Sequence, residues 1–287
     1  ERGVASAVAG DVKMPKQVKA IVIAGNGTNC EREVAYACKL AGADVADIVH
    51  VAKLLAGRVN LADYHFLNLA GGFLDGDDLG SAKAGANRLL HAKITGSEQT
   101  IADQIDQFVA DGKLVMGVCN GFQLMVKMGL LPAQDENNEQ SCSLTFNDGG
   151  RFEDRWCWLK VDQESPCIFT RDLDAVYLPV RHGEGKFVTD KQQTLSRIEQ
   201  QHLAAVKYAD DNYNPTMEYP ANPNGSVAAI AGVCDPTGRL FGLMPHPEAY
   251  IHRTHHPRWT REDLPEEGMG LWMYQNAIRF IREELLK

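Results

Sequence analysis

Residues 114–131 read LVMGVCNGFQLMVKMGLL and constrain the fold more than any other stretch of the chain. Leu114, Val115, Met116 and Val118 form a short apolar run of the kind that makes a buried strand. After it, Phe122, Met125, Val126 and Leu130 recur at helical spacing and can share one face. Between the two lies Gly117-Val118-Cys119-Asn120-Gly121, so the chain must pass from strand to helix within a few residues, with a cysteine at the turn. A strand–turn–helix with a nucleophile at the bend is a nucleophile elbow. The glycines suit a tight turn against which other backbone packs. The helix start offers unpaired N–H groups and the positive end of a dipole, and both favour a Cys119 thiolate and an oxyanion beside it. A cysteine before a helix is, taken alone, more often an inert buried thiol. Glycines two residues to either side, behind an apolar strand, shift the expectation toward acyl transfer.

The same alternation runs through the first half of the chain. Val18–Ala24 reads as a strand and Gly25-Asn26-Gly27 as a turn. Thr28-Asn29-Cys30-Glu31 has the pattern of a capping box opening a helix, with Val34, Ala37, Cys38 and Ala41 on its apolar face and Gly42 at its end. Val45–Val51 and Phe66–Ala70 read as strands, the latter running into Gly71-Gly72-Phe73, and Ile101–Ala110 as a helix. This pattern predicts an α/β fold: a mostly parallel sheet with helices on both faces. Ligands of such sheets bind at the carboxyl ends of the strands, which gathers the Gly25 turn, Gly71-Gly72 and Cys119 at one edge.

The second half changes character. Trp156–Val161 and Ala175–Val180 read as strands, and Val227–Val233 and Arg239–Met244 as a hairpin about Asp235-Pro236-Thr237-Gly238. Leu271–Leu285 reads as a closing amphipathic helix. No linker interrupts the chain, so one domain with an antiparallel extension is expected over residues 18–287. Residues 1–17 are expected to be a mobile tail, and the opening Glu1 suggests a trimmed chain. Leu74–Thr100, rich in Gly and Asp, reads as an insertion over the active edge.

Composition excludes several classes of function. A net charge of −9 over 287 residues argues against a broad nucleic-acid footprint. Seven scattered cysteines without a C-x-x-C pair fit a reducing compartment, hence a cytoplasmic location, better than a disulfide framework. No apolar run approaches a membrane span, and the N-terminal stretch lacks the apolar centre of a signal peptide. His252, His255 and His256 are expected in an exposed loop rather than at a metal, because Pro257 follows and no acidic residue has metal-motif spacing.

A cysteine nucleophile needs a base, and the base an orienting group. Leu243-Met244-Pro245-His246-Pro247-Glu248 follows an apolar strand and offers both. Each proline pushes its predecessor toward extended backbone, where residues two apart share a side, so His246 and Glu248 can converge.

With GVCNGFQ and a distant HPE, the chain resembles the class I, or triad-type, glutamine amidotransferases. Asn29-Cys30-Glu31-Arg32, GGF at Gly71–Phe73, HGEG at His182–Gly185 and YPANPNGS at Tyr219–Ser226 narrow the likeness to the free-standing glutaminase components of phosphoribosylformylglycinamidine synthases. It runs from about Lys19 to the C-terminal helix. The resemblance implies Cys119 as nucleophile, His246 as base and Glu248 as orienting acid. It implies an oxyanion hole from the Asn120 amide with that of Gly71 or Gly72, and substrate contacts at Phe73, Gln123 and His182. One departure is Leu74-Asp75-Gly76-Asp77-Asp78-Leu79, where many relatives have a serine, an aromatic residue and then Gly-Asp; contacts from this loop do not carry over.

The implied reaction is hydrolysis of glutamine to glutamate and ammonia. The ammonia would pass to a synthase subunit that makes formylglycinamidine ribonucleotide, with a small accessory subunit as a further implied partner. ATP and magnesium are expected on the synthase, and no cofactor or metal in this chain. The HGEG and PANPNGS loops are expected at the docking edge. Competing readings are a hydrolase of the wider cysteine-elbow group, an amidotransferase of another pathway, and a catalytically silent regulatory subunit. Asn120, where the wider group often has His, and the separate HPE oppose the first; intact Cys119, His246 and Glu248 oppose the last.

Overall fold

Five parallel strands carry the site. The computed structural model describes residues 16–132 and 139–287; the expected tail falls outside the described residues up to residue 15. The strands are β1 (Lys19–Ala24), β2 (Val45–His50), β3 (Phe66–Leu69), β4 (Leu114–Val118), β5 (Cys142–Thr145), β6 (Glu153–Val161), β7 (Ala175–His182), β8 (Lys186–Thr189), β9 (Val206–Ala209), β10 (Ile230–Cys234) and β11 (Leu240–Leu243). The helices are α1 (Glu31–Leu40), α2 (Val51–Leu55), α3 (Lys83–His91), α4 (Ile101–Ala110), α5 (Asn120–Lys127), α6 (Gln192–Gln200) and α7 (Leu271–Phe280). One nine-stranded sheet has the order β2-β1-β3-β4-β11-β10-β9-β6-β7, and β5 and β8 pair in a separate ribbon. The strands from β2 to β11 are mutually parallel, and β10, β9, β6 and β7 continue the same sheet antiparallel. The expected extension is therefore a continuation of the main sheet rather than a separate layer.

Every residue of β3 and β4 is buried, as strands covered on both faces require. The covering helices form two packed groups, α1 with α7 and α3 with α4 and α5. Phe66 of β3 meets Phe169 at 5.9 Å and Tyr274 of α7 at 6.4 Å between ring centroids.

Three expectations need correction. The capping box at Thr28–Glu31 does not form: Thr28 Oγ1 instead accepts from the Gly25 amide, and the Asn29 and Cys30 amides both donate to the Gly71 carbonyl. That segment is tied to the loop after β3, so α1 begins at Glu31 without a side-chain cap. A capping box does form at α4, between Thr100 and Asp103. The closing helix is regular only to Phe280 and widens into a π-turn over Ile281–Leu285. Leu74–Thr100 is not simply an insertion: it contains α3 within the β3-to-α4 connection, and only its first part, with Asp77 and Ser81, faces the active edge. No helix of the described residues is long and apolar enough to cross a membrane.

Candidate active site

The elbow is present and strained. Cys119 follows β4 directly, with φ 51° and ψ −106°, a conformation L-residues rarely adopt and one that costs of order 1–3 kcal/mol. Two glycines make the bend possible. A Cβ at Gly121 would lie 1.9 Å from the Leu69 carbonyl oxygen, and one at Gly117 would lie 2.7 Å from the Gly121 backbone. α5 thus sits directly on the strand ends, and Asn120, its first residue, contributes an N–H from the set left unpaired at a helix start. The Cys119 amide donates to Leu243 of β11 at 2.8 Å, and its thiol donates to the Arg181 carbonyl at 3.7 Å.

β11 lies beside β4 and delivers the second component. His246 is extended (φ −105°, ψ 94°) and its amide donates to Pro179 of β7 at 2.8 Å. Pro247–Ala249 then forms a 3-10 turn, so Glu248 reaches the imidazole by a turn rather than along the extended chain foreseen from the prolines. The turn packs against the start of α7, where Gly270, the residue before the helix, leaves no room for a Cβ against the Pro247 carbonyl. His246 Nδ1 lies 2.6 Å from Glu248 Oε1, and both side chains are almost fully buried. Burial alone would lower the His246 pKa; the Glu248 charge and interactions with Cys119 and Cys30 outweigh it and hold the imidazole well above its ordinary value. His246 Nε2 and Glu248 Oε2 are buried without a hydrogen-bond partner. Such atoms cost about 1–3 kcal/mol each and mark a site shaped for chemistry rather than stability.

Gly71 and Gly72 close the other side. A Cβ at Gly71 would lie 2.8 Å from His246 Cε1, and Gly72 (φ 137°) bridges to Thr28 with no space for a side chain. Cys119, Asn120, Gly71, Gly72, His246 and Glu248 therefore gather at the carboxyl ends of β3, β4 and β11. A cavity of about 390 Å³ opens there, lined by Gly72, Phe73, Cys119, Gln123, His182 and His246 among others.

The remaining predicted residues play different parts. Phe73 is 46% exposed at the cavity mouth, near the exposed Phe146 and Phe152. The Gln123 side chain is engaged by the protein: its amide donates to the Glu184 carbonyl at 2.6 Å and its oxygen accepts from Asn120 at 3.1 Å. His182 is buried, with Nδ1 3.1 Å from Asn147 Oδ1 and Nε2 3.5 Å from Asn224 Nδ2. Burial, then the nearby His246 charge, lowers its pKa to about 4. Gly185 folds over its ring, where any Cβ would collide.

HGEG and PANPNGS form one internal network, not two surface loops. Asn224 donates to the Gly185 carbonyl (2.9 Å) and the Tyr208 hydroxyl (3.1 Å), and Ser226 accepts from the Phe187 amide (2.9 Å). Asn222, Asn224 and Ser226 are buried, so the docking role foreseen for this motif falls at most to its exposed start at Tyr219.

Sequence reasoning missed several residues. Cys30 Sγ sits 3.9 Å from His246 Nδ1. Arg181, Glu33 and Asp77 join Glu184 of HGEG in supplying the charges of the cavity wall. Burial raises the Asp77 pKa, partly offset by hydrogen bonds from the Ala82 amide and Ser81. The Ser81 amide donates to Glu184 at 3.3 Å, joining the loop after β3 to HGEG. His252, His255 and His256 do not meet at one point: the His252 and His255 rings lie 6.2 Å apart and His252 pairs with Glu266, whereas His256 is buried against Trp156, Tyr177 and Tyr250.

A strained cysteine elbow opens on the same cavity as His246 of a buried His–Glu pair, at the edge of a parallel sheet, and the chain belongs to the CobB/CobQ-like glutamine amidotransferase domain family, which matches residues 17–281. Its particular likeness is to proteins named phosphoribosylformylglycinamidine synthase subunit PurQ. That of Dehalococcoides mccartyi is 40% identical, over 93% of this chain and 99% of its own. That of Methanococcus maripaludis is 41% identical, over 92% and 98%. A chain of the PurLQS structure from Thermotoga maritima is 26% identical with a TM-score of 0.66, covering 93% of this chain and 100% of that one.

Proposed function

We propose that this chain hydrolyses glutamine through Cys119, His246 and Glu248, and passes the ammonia to a synthase subunit that makes formylglycinamidine ribonucleotide. The carrying observation is the strained Cys119 at the foot of α5, in one cavity with the buried His246–Glu248 pair. The Cys119 thiolate attacks the side-chain amide carbon of glutamine. The oxyanion develops toward the Asn120 amide and that of Gly71 or Gly72. His246, holding the proton from Cys119, gives it to the departing nitrogen, and ammonia leaves a thioester. His246 then takes a proton from water, whose oxygen attacks the thioester, and glutamate departs as the thiol reforms. Glu248 holds Nδ1 throughout. Arg181, Glu33, Asp77 and Glu184 line the cavity and offer charges of both signs for the carboxylate and ammonium of a free amino acid.

The partner reading rests on the relatives. The named PurQ chains are synthase subunits of about this length. The Schizosaccharomyces pombe phosphoribosylformylglycinamidine synthase carries a matching region, 31% identical, that makes up 21% of its length. One function divided among subunits in some organisms and fused in another explains both. ATP and magnesium then act on the synthase, a small accessory subunit completes the assembly, and the complex is cytoplasmic.

The experiment is formylglycinamidine ribonucleotide synthesis by this chain with its synthase, ATP and magnesium, using glutamine or ammonium as nitrogen source. Cys119→Ser should abolish the glutamine-dependent rate and spare the ammonium-dependent one. Glutamine-dependent synthesis at the wild-type rate by the variant would overturn the assignment.

A further inference from the structure

Cys30 lies in the cavity but takes no part in the reaction above. Its sulfur is 3.9 Å from His246 Nδ1, and Nδ1 is 2.6 Å from Glu248 Oε1. One donor atom from each of the three side chains lies within 4.8 Å of the others, and among the described residues this is the one such group that could hold a metal ion. A thiolate, an imidazole and a carboxylate suit zinc and similar thiophilic cations, not magnesium or calcium. A tetrahedral zinc about 2.3 Å from sulfur and about 2.0 Å from nitrogen sets those two atoms roughly 3.6 Å apart, close to the separation found here. Glu248 can offer Oε2, which is buried and has no hydrogen-bond partner. Gly71 permits the arrangement: a Cβ there would come within 3.3 Å of Cys30 Sγ and 2.8 Å of His246 Cε1. Cys30 and His246 both line the cavity, which provides a route in.

We propose that Cys30, His246 and Glu248 form an inhibitory site for a thiophilic divalent cation, distinct from any cofactor of the reaction. On binding, the Cys30 thiol releases its proton to solvent and a sulfur–metal bond forms. The ring also releases its Nδ1 proton to solvent, the metal takes the lone pair this frees, and the remaining proton of the ring resides on Nε2. Nε2 is the atom that must accept the proton of Cys119, and once protonated it cannot. Glu248, drawn to the metal, no longer orients the ring. No electrons are transferred and no oxidant is required.

The test titrates the metal-stripped full chain with Co2+ as a spectroscopic probe and Zn2+ as its competitor. One cobalt per chain should bind, with thiolate-to-cobalt charge-transfer absorption, and zinc should displace it. Cys30→Ser should lose the absorption and bind zinc roughly tenfold more weakly or worse, whereas Cys119→Ser should retain both. In the wild-type chain, zinc should also protect Cys30 from alkylation, read by peptide mass, so the answer does not depend on the variant folding. Zinc should stop glutamine hydrolysis, with recovery on chelation. Absorption that survives in Cys30→Ser and vanishes in Cys119→Ser, or the lack of stoichiometric binding, would overturn the proposal. The spectroscopic and protection readouts need no turnover, so only the inhibition measurement rests on the glutaminase reading.

Discussion

Two buried histidines at this site have opposite electrostatic fates: His182 is held below the ordinary imidazole value and His246 well above it. Cys119 and His246 form a unit, so Cys119→Ser should lower glutamine hydrolysis by several orders of magnitude, and His246→Asn nearly as much. Glu248→Gln should be milder, because the amide can still hold the ring without its charge. Steady-state ammonia release gives the ranking, and a Glu248→Gln enzyme slower than His246→Asn would contradict the roles. His182 is testable by pH. Its pKa of about 4 means that it stays neutral in the folded protein while the unfolded side chain protonates near 6.5. Stability linked to His182 is therefore present above about pH 6.5 and lost as pH falls toward 4, about 3 kcal/mol in full. His246, whose pKa is raised, acts with the opposite sign: its contribution is present below about pH 6.5 and fades as pH rises through its folded value. The difference between wild type and His182→Gln isolates the first effect. In urea unfolding, the penalty of the substitution should shrink by about 2 kcal/mol between about pH 7.5 and pH 5.

At the scale of elements, the position of α5 sets the site. Gly121 rests against the Leu69 carbonyl, so Gly121→Ala must push α5 off β3 and carry Cys119 with it. Destabilisation of about 1–3 kcal/mol is expected, as for overpacking elsewhere, with a fall in kcat because the nucleophile itself moves. Urea midpoints and glutaminase rates on one preparation check both. The segment Tyr219–Ser226 supports HGEG from within. Asn224→Ala would strand the Tyr208 hydroxyl and the Ser226 amide and leave the Gly185 carbonyl only its longer bond from Ser226 Oγ at 3.4 Å. A loss of about 3 kcal/mol, read from urea unfolding, follows from buried groups left unpaired. A surface docking role alone would leave stability unchanged.

For the whole molecule, the exposed Phe73, Phe146 and Phe152 at the cavity mouth are consistent with a site completed by another subunit. Glutamine hydrolysis by the isolated chain should be slow and should rise severalfold or more with the synthase, its nucleotide substrate and ATP, as a population shift toward a competent cavity. Full-speed hydrolysis by the chain alone, unchanged by the partner, would exclude such gating.

Sequence alone determined the features that depend on near neighbours along the chain. The β4–Cys119–α5 elbow was legible because an apolar run, two glycines and a helical stripe lie within eighteen residues, and each constrains local backbone or burial. The strands β1 and β3 and the helix α4 were legible from the same periodicities, within a residue or so. The pairing of His246 with Glu248 was foreseen, although a turn rather than extended chain brings it about. Only the tertiary structure decided what the strand order brings together. Cys30 and His246 are 216 residues apart and meet because β1, β3, β4 and β11 end side by side. Thr28 lost its expected capping role because the loop after β3 claims the neighbouring amides. The buried asparagines of Tyr219–Ser226 looked like loop residues, since polar composition reads as exposure until the packed groups they satisfy are seen.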